Sequence, residues 1–293
     1  MTARLSIIIL SYNTAELVIQ CLSSLSALFK EQLATGEFEI IVVDNNSLDN
    51  TVEKLKQKKF PFKTFTVIVN KENLGFAKGN NKGVKKAQAP YILFLNSDTK
   101  MLTDGLEAAL DFLKKEKTVA VVLGKLVDVQ GNVSEGSVGR FYSPISVFFS
   151  LFLGVLDTHY TPSTARLVDW GPGAAMLVKK DIFENTGGFD EHFFMYIEDM
   201  DLCLRMKKNG YSAYFFPDLL VQHQKQGSSN RSYAIMMIFK NLLYYFRKHY
   251  IYPVYLMVKS ILVFRCVAAI FTGFLLHNEY LRKTYTKTLK VII

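Results

Sequence analysis

Cysteine is scarce in this 293-residue sequence, which contains only Cys21, Cys203 and Cys266. Three cysteines so far apart have no metal-ligand spacing and are a poor basis for a disulfide framework, so we expect a reducing, cytoplasmic setting. The N-terminus also lacks a small-residue cleavage site after its short apolar run. We therefore predict that residues 5–12 form a first strand and are not a signal peptide.

Acidic residues are nearly absent from the last part of the chain. From Lys225 onward there are eleven basic residues and a single acid, Glu279, whereas residues 1–224 carry a net charge of −1. The overall charge of +9 thus belongs to the C-terminal segment, which argues against nucleic-acid binding across the whole fold. Hydrophobic residues make up 49% and charged residues 21% of the chain, a balance that excludes wholesale disorder.

Apolar runs of strand length alternate with helical patterns through the first hundred residues. Alternation at this spacing predicts right-handed βαβ units and a mostly parallel sheet flanked by helices, so the expected fold class is α/β. Beyond residue 100 we expect further helices and strands, separated by a loosely structured connection over 128–168. The predicted strands are 5–12, 38–43, 65–69, 90–95, 119–127, one ending near 178, and 211–216; the predicted helices are 17–28, 49–59, 76–87, 104–115, 179–186 and 198–209.

Polar side chains follow three of the predicted strands, at the point where each strand ends. The clusters are Ser11-Tyr12-Asn13, Asp44-Asn45-Asn46 and Asn96-Ser97-Asp98. At any one position such residues are ordinary turn and helix-cap residues. Because ligands of open α/β sheets bind beyond the carboxyl ends of the strands, three such clusters together favour a shared binding cleft.

Seven short motifs occur in order along residues 4–225. They are Ser11-Tyr12-Asn13, Asp44-Asn45-Asn46-Ser47 with Asp49, Asn73-Leu74-Gly75-Phe76 with Gly79-Asn80-Asn81, Asn96-Ser97-Asp98, Trp170 with Gly173-Ala174, Gly187-Gly188-Phe189-Asp190-Glu191, and Glu198-Asp199 with Asp201 and Arg205. Each motif alone is weak, but the ordered set is specific. On these residues the sequence resembles family 2 inverting glycosyltransferases of the GT-A fold, in particular the rhamnosyltransferase-like branch.

The resemblance implies a GT-A, Rossmann-like domain, which we expect to cover residues 1–228. Within it, residues 1–100 would form the nucleotide-sugar half and residues 101–228 the acceptor half. Residues 229–293 follow as a helical appendage that we expect to associate with a membrane.

The resemblance places a nucleotide-sugar donor against the strand ends of the first half. Asp44 is expected to accept hydrogen bonds from a uracil- or thymine-like base, and the segment from Asn73 to Asn81 is expected to border the ribose and sugar. Asp49 is ambiguous, because it can also cap the next helix. The expected donor-binding residues are Ser11, Tyr12, Asn13, Asp44, Asn46, Asn73, Gly75, Phe76, Gly79, Asn80, Asn96 and Ser97.

Asp98 occupies the last position of the family's Asp-x-Asp metal motif and is the only acid of that motif here. Oxygen ligation together with the donor phosphates suits Mn²⁺ or Mg²⁺. His223 matches a histidine that completes the metal site in some family members, although a lone histidine after an apolar run is more often structural. The expected metal ligands are Asp98 and His223.

Glu198, Asp199 and Asp201 place three acids in the first turn of a predicted helix, where they interact favourably with the helix dipole. In the family the second acid of this motif is the general base, so Asp199 is expected to deprotonate the acceptor hydroxyl. Glu198 and Asp201 are expected to orient Asp199 or to contact the acceptor. The resemblance also places Trp170 and Gly173 in the acceptor pocket, and a core aromatic is the alternative for Trp170.

Apolar runs at residues 234–246 and 254–276 dominate the basic tail. The second run is long enough to span a bilayer, but it contains Lys259 and Arg265, and an Arg near the middle costs roughly 2.5–3.5 kcal/mol. We therefore favour a monotopic or peripheral association with the cytoplasmic face of the plasma membrane. Packing on the catalytic domain, or on a second subunit of a homo-oligomer, is the alternative.

The expected function is metal-dependent, inverting transfer of a sugar to a lipid-linked or oligosaccharide acceptor in surface polysaccharide synthesis. dTDP-rhamnose is the first expected donor and UDP-sugars are the second. A non-catalytic, membrane-bound module that binds a sugar-nucleotide or a glycan is the alternative. A nucleotidyltransferase lacks support, because Ser11-Tyr12-Asn13 is not a basic Gly-rich phosphate loop, and no nucleic-acid partner is expected.

Overall fold

The computed structural model describes residues 3–133, 136–153, 159–224 and 231–293. Strands and helices alternate in the first hundred residues, as the sequence predicts. β1 and β2 are buried along nearly their whole length, as is usual for parallel strands covered on both faces of the sheet. The elements are β1 (Leu5–Ser11), α1 (Ala15–Leu28), α2 (Lys30–Thr35), β2 (Phe38–Asp44), α3 (Thr51–Gln57), β3 (Phe65–Val69), α4 (Gly75–Val84) and β4 (Tyr91–Asn96).

Shorter strands and helices follow β4. These elements are β5 (Thr99–Met101), α5 (Leu106–Lys115), β6 (Val119–Val127), β7 (Val138–Gly139), α6 (Pro144–Leu153), β8 (His159–Tyr160), β9 (Arg166–Val168), β10 (Ala175–Lys179), α7 (Lys180–Asn185), α8 (Glu198–Lys208) and β11 (Ser212–His223).

Nine strands of the described residues form one sheet in the order β3-β2-β1-β4-β10-β6-β11-β5, with β9 paired to β11. The pairs from β3 to β4 are parallel, β10 is antiparallel to both β4 and β6, and β6 is parallel to β11. Apolar residues of α1, including Val18 and Leu22, pack in a core cluster with Ile7 and Ile9 of β1. The predicted α/β sheet with flanking helices is confirmed, and its continuous run of parallel pairs lies in the first half.

Two expectations for the second half are wrong. The described residues of the loose connection predicted at 128–168 contain β7, α6, β8 and β9, and the strands among them pair with segments distant in sequence. The strand predicted at 211–216 continues to His223, because a register shift between Phe216 and Leu220, around Pro217, interrupts the alternation without ending the strand. His223 therefore lies within β11 and not after a strand.

The chain divides into two compact units. The sheet unit comprises Met1–Arg140, His159–Phe194 and Glu198–Ser228, and the helical unit comprises Phe141–Thr158, Met195–Ile197 and Ser229–Ile293. The domain boundary predicted at residue 228 lies outside the described residues and stays a prediction. The division of the first domain into a nucleotide-sugar half and an acceptor half also stays a prediction.

The helical unit is built around α9 (Arg231–His249), α10 (Tyr252–Leu275) and α11 (Glu279–Ile292), which pack against one another. Asn241 of α9 is buried, and its Nδ2 donates to the carbonyl oxygens of Met195 at 2.8 Å and Tyr196 at 3.0 Å. Tyr196 has a positive φ of 74°, which is costly for a bulky residue. The two hydrogen bonds from Asn241 therefore stabilise a turn that is unfavourable by itself.

Replacing Gly75 by Ala should destabilise the sheet unit. Gly75 has a φ of +75°, and a Cβ there would lie 2.2 Å from the carbonyl oxygen of Phe194, which accepts a hydrogen bond from the Phe76 N–H. The left-handed conformation costs roughly 1–2 kcal/mol for Ala, and displacing the facing main chain adds roughly 1–3 kcal/mol. Chemical unfolding measures the sum.

Gly131→Ala is the matched control, because Gly131 has a φ of +82° and open space where a Cβ would lie. The stability of Gly131→Ala should fall only by the cost of the left-handed conformation, without the added cost of displaced main chain. Equal losses of stability in the two variants would contradict a steric role for Phe194.

Candidate active site

Side-chain hydrogen bonds join the ends of β1, β2 and β4. Ser11 Oγ lies 2.9 Å from Thr14 Oγ1, which donates to Ser97 Oγ at 3.0 Å. Towards the end of β2, the Asn13 N–H donates to Ser47 Oγ at 2.8 Å. The structure thus brings the three polar clusters to one edge of the sheet, because β1 lies between β2 and β4.

Asp44 is fully buried at the end of β2. Its carboxylate accepts hydrogen bonds from the N–H of Ser47 at 2.9 Å and from the hydroxyl of Ser47 at 2.5 Å. Each carboxylate oxygen keeps a second lone pair, and the expected hydrogen bond from a base N–H to Asp44 stays a prediction. Asp49 accepts from the main-chain N–H groups of Ala15 at 3.2 Å and Thr51 at 3.0 Å, which supports its capping role.

Asn45, which is not among the expected donor-binding residues, organises the loop beyond β2. Its Nδ2 donates to Asn73 Oδ1 at 3.2 Å and to the carbonyl oxygen of Gly75 at 3.0 Å, and its Oδ1 accepts from Asn70 Nδ2 at 2.9 Å. Asn46, the residue expected to contact the donor, is exposed. The sequence has no signal that separates these two asparagines, because both follow the same strand.

The other residues expected near the donor lie around α4 and β1. Gly79 and Asn80 are buried, and Asn80 Nδ2 donates to the carbonyl oxygen of Phe76 at 3.1 Å within the helix. Tyr12 is partly exposed at the end of β1. The positions of Gly79 and Asn80 support a role in packing α4, and their donor contacts stay predictions.

Asp98 and His223 form a direct pair. His223 Nε2 lies 3.2 Å from Asp98 Oδ1, and both side chains are partly buried. The antiparallel pairing of β11 with β5 creates this contact, since it places His223 opposite Thr99, the residue after Asp98.

One carboxylate and one imidazole fit Mn²⁺ or Mg²⁺ when phosphate oxygens and water fill the remaining positions. Among the residues that the structure describes, no group of three or more His, Cys, Asp or Glu side chains is arranged to hold a metal. The described part of the protein thus offers the pair Asp98 and His223, and the donor would complete the site.

Asp199 is the second residue of α8 and lies beside the segment that contains Gly173. Its carboxylate accepts hydrogen bonds from the N–H groups of Met200 at 2.8 Å and Gly173 at 3.3 Å. Burial raises the pKa of Asp199 to about 6, although these hydrogen bonds and the nearby His159 oppose the shift. A carboxyl group with this pKa can accept a proton near neutral pH, as a general base must.

The Gly173 segment also contacts the motifs of the first half. A Cβ on Gly173 would lie 2.6 Å from Phe76 Cζ, so only a glycine leaves room for the ring. The carbonyl oxygen of Ala174 accepts from the Asn96 N–H at 3.1 Å. The main chain at positions 173–174 therefore connects Asp199 with the end of β4.

Glu198 and Asp201 are both buried. Asp201 pairs with Arg205 Nε at 2.7 Å, and the same guanidinium donates to the carbonyl oxygens of Thr186 at 2.6 Å and Gly188 at 2.7 Å. This network fastens α8 to the Gly187-Gly188 turn. Of the two roles expected for Asp201, its position supports orientation of α8, and contact with the acceptor stays a prediction.

Trp170 is buried against its neighbours in the sheet unit. Its indole N–H donates to the carbonyl oxygen of Arg140 at 2.9 Å, and its ring lies 4.9 Å from that of His159 in an edge-to-face arrangement. This environment supports the interpretation as a core aromatic. Its place in the acceptor pocket stays a prediction.

The α/β sheet, the polar strand ends and the Asp199 motif agree with the glycosyltransferase class that the sequence predicts. Residues 6–196 match the model of the family described as Glycosyl transferase family 2. The chain therefore belongs to glycosyl transferase family 2. The predicted family and enzyme class, a glycosyltransferase, are confirmed.

Two curated relatives have related sequences. The rhamnosyltransferase WbbL of Escherichia coli is 31% identical over 169 residues, a match that covers 54% of this chain and 64% of that protein. This chain therefore matches less than two thirds of the length of WbbL. The N-acetylglucosaminyl-diphospho-decaprenol L-rhamnosyltransferase of Mycobacterium tuberculosis is 28% identical over 257 residues, which is 80% of each chain.

Solved structures share the fold at low sequence identity. The mannosyltransferase PcManGT of Pyrobaculum calidifontis, in complex with GDP-Man and Mn²⁺, has a TM-score of 0.60 and 16% identity, covering 100% of this chain and 86% of that one. GalNAc-T7 with UDP, GalNAc and Mn²⁺ has a TM-score of 0.63 and 14% identity, covering 84% and 48%. These similarities confirm the predicted GT-A fold.

Replacing Asp98 by Asn or His223 by Gln should weaken Mn²⁺ binding in the presence of UDP by at least about tenfold, because each would remove one of the two expected ligands, and even residues that only support ligands contribute roughly 10–100-fold. Titration followed by the electron paramagnetic resonance of free Mn²⁺ measures this affinity. Asp104→Asn, which neutralises an exposed carboxylate before α5, is the control and should bind as the wild type does. Unchanged affinity in both site variants would show that the pair is structural.

Proposed function

We propose that this protein transfers a sugar from a nucleotide diphosphate donor to a hydroxyl group of a lipid-linked glycan, with inversion at the anomeric carbon. dTDP-rhamnose is the first donor to test and UDP-sugars are the second. The observation that carries the proposal is the position of Asp199, a carboxyl group with a raised pKa held beside Gly173 next to the polar end of β4.

The reaction requires one proton acceptor and a means to stabilise the leaving diphosphate. Asp199 takes the proton of the acceptor hydroxyl as its oxygen bonds to the anomeric carbon and the bond from that carbon to the diphosphate oxygen breaks. The N–H groups of Gly173 and Met200 hold the carboxylate in one orientation. Asp201, through its pair with Arg205, secures α8, which carries Asp199, and we assign the buried Glu198 the same supporting role.

Asp98 and His223 are the residues that would hold Mn²⁺ or Mg²⁺, and the ion would supply positive charge against the leaving diphosphate. Mn²⁺ in the structures of PcManGT and GalNAc-T7 supports this part of the proposal. Asp44 and the loop organised by Asn45 would bind the nucleoside. The names of the E. coli and M. tuberculosis relatives support rhamnose as the sugar, and the second name supports a diphosphate-lipid acceptor.

The outer face of α10 supports membrane association of the helical unit. In the described residues, α10 is the helix long and apolar enough to cross a membrane, by length and composition. Large apolar side chains recur at helical spacing along one exposed face. They are Leu256, Phe264, Val267, Phe271 and Phe274.

The two charges within α10 contact protein groups. Lys259 Nζ donates to the carbonyl oxygen of Ile293 at 2.9 Å, and the Arg265 guanidinium lies 5.5 Å from the centre of the Phe239 ring on α9. The apolar face therefore stays free of both charges. Together with the basic composition of the tail, this favours a monotopic helix in the headgroup layer of an anionic leaflet, which we place at the cytoplasmic side.

Turnover should depend on the ionisation of Asp199. Since only the carboxylate accepts a proton, kcat/KM should fall as the pH drops below about 6 and reach a plateau above it. Asp199→Asn should lower kcat at least about 100-fold, because a general base contributes roughly 10²–10⁴-fold, while leaving UDP or dTDP binding within a few-fold. A donor screen that measures nucleoside diphosphate release with Mn²⁺ or Mg²⁺ gives kcat and kcat/KM. Titration with UDP or dTDP gives the nucleotide affinity.

A non-catalytic binding module would release no nucleoside diphosphate with any donor, metal or membrane extract. Asp104→Asn, at an exposed position before α5, is the control for the loss of one carboxylate. Activity in Asp199→Asn equal to that of this control would reject Asp199 as the base.

Binding to vesicles should depend on the apolar face of α10. The double variant Phe264→Glu with Phe271→Glu should bind vesicles of phosphatidylglycerol and phosphatidylcholine at least tenfold more weakly, since burial of each Phe contributes roughly 1.5–3 kcal/mol. Val129→Glu, which changes an exposed apolar residue of the sheet unit, is the control. Wild-type vesicle binding that survives in the double variant would reject this face as the membrane contact.

A further inference from the structure

α6 is an apolar helix that belongs to the helical unit, although it lies in sequence between β7 and β8 of the sheet unit. None of the ten residues Pro144–Leu153 is charged. The Ser143 side-chain oxygen accepts a hydrogen bond from the Ser146 N–H at 3.1 Å, and Ser146 Oγ accepts one from the Ser143 N–H at 2.9 Å. This reciprocal cap, followed by a proline at the first helical position, favours a helix that begins at this point.

One face of α6 packs into the helical unit. Val147 is fully buried, and α6 packs against α10. The hydroxyl of Tyr250, which lies between α9 and α10, donates to the carbonyl oxygen of Tyr142 at 3.0 Å, just before the start of α6. The start of α6 is therefore held at the corner where α9 ends and α10 begins.

The opposite face of α6 exposes large apolar side chains. Ile145, Phe148 and Phe149 are 67%, 46% and 55% exposed. Their spacing of three and four residues places them on one side of the helix, and the rings of the two phenylalanines lie 5.9 Å apart. Contiguous exposed apolar surface of this kind marks a contact with another protein or with a membrane.

The charge of the tail favours a membrane over a second copy of the chain. With eleven basic residues and one acid after residue 224, two copies of the tail repel each other, whereas an anionic lipid surface attracts it. Arg247 and Lys248 are exposed in the last turn of α9, just before Tyr250 at the start of α6. Positive charge close to exposed aromatic and aliphatic side chains is typical of segments that lie in the headgroup layer.

We infer that α6 is a second membrane-contact helix, whose face of Ile145, Phe148 and Phe149 inserts into the headgroup layer of an anionic bilayer. This inference rests on the membrane association proposed above and adds a separate segment to it. At about 1.5 Å per residue α6 is about 15 Å long, half of the roughly 30 Å of a hydrocarbon core, so it lies in the layer and does not cross it. Because α6 interrupts the chain of the sheet unit, this contact ties the sheet unit to the membrane at a point far in sequence from the tail.

A tryptophan at position 149 reports insertion directly. Trp170, the only tryptophan of the chain, is buried, so the wild type supplies the background emission. With vesicles of phosphatidylglycerol and brominated phosphatidylcholine, the added emission of Phe149→Trp should move to shorter wavelength and be quenched, because bromine on the acyl chains quenches only groups that reach them. Val129→Trp, at an exposed position of the sheet unit, is the control and should keep its emission. Unquenched emission from vesicle-bound Phe149→Trp overturns the proposal.

Vesicle affinity provides a second measurement. The α6 pair, Ile145→Glu with Phe149→Glu, should bind vesicles of phosphatidylglycerol and phosphatidylcholine at least about tenfold more weakly than Val129→Glu with Val133→Glu, since burial of large apolar side chains is lost. The control pair adds the same charge at two exposed apolar positions of the sheet unit, so added negative charge cannot account for the difference. Equal affinity of the two pairs overturns the proposal.

The same assay separates this inference from the proposed function. If Phe264→Glu with Phe271→Glu loses vesicle binding while the α6 pair binds as its control does, α10 alone contacts the membrane and the inference fails. Weakened binding of the α6 pair, in a protein whose wild type releases no nucleoside diphosphate with any donor, supports the inference and refutes the proposed sugar transfer. A wild-type dimer in sedimentation that the α6 pair abolishes, with vesicle binding at the level of the control, identifies a subunit interface and overturns the inference.

Discussion

The position of β4 between neighbours of opposite direction is the constraint on which the site depends. Parallel pairing with β1 sets Leu10 opposite Asn96, and antiparallel pairing with β10 sets Ala175 opposite Leu95. The first pairing gathers the ends of β1, β2 and β4 at one edge, and the second makes β10 begin at that same edge. A slip of one residue would turn every side chain of β4 to the opposite face, so the buried apolar residues on both faces also secure the polar site.

Two acids of α8 show how environment separates residues that the sequence presents as equivalent. Asp201 is fully buried and is compensated by Arg205, a charged partner one turn away. Asp199 is held by two main-chain N–H groups, which offset only part of the cost of removing its charge from water, so its pKa is raised to about 6. The first arrangement fastens the helix, whereas the second leaves a carboxylate that readily accepts a proton.

In the basic tail, the charged side chains of α10 and its exposed apolar side chains have different surroundings. The sequence shows charges within an apolar run, which argues against a membrane span. In the helical unit, Arg265 lies over Phe239 and Lys259 donates to a carbonyl oxygen, while a predominantly apolar face of α10 remains exposed. In the proposed function this face holds the enzyme where a lipid-linked substrate is concentrated.

Much of the fold was predictable because its signals are local. The strands at 65–69 and 119–127 have the predicted limits, since each is a predominantly apolar run bounded by polar residues. The ordered motifs predicted the family. The polar residues at the strand ends predicted that these side chains would meet at one edge of the sheet. The sequence alone thus determined the type of sheet, the class of enzyme and the chemical character of the tail.

Only the tertiary structure decided which of these residues meet. The pairing of β9 with β11 and of β11 with β5 joins segments far apart in the chain, so neither the strands in 128–168 nor the position of His223 within a strand had a local signal. The choice between Asn45 and Asn46, and the burial of Trp170, depend in the same way on which groups approach from elsewhere. The environment of each side chain is set by residues distant in sequence. These residues come into contact only when the strands of the sheet have paired in the correct register.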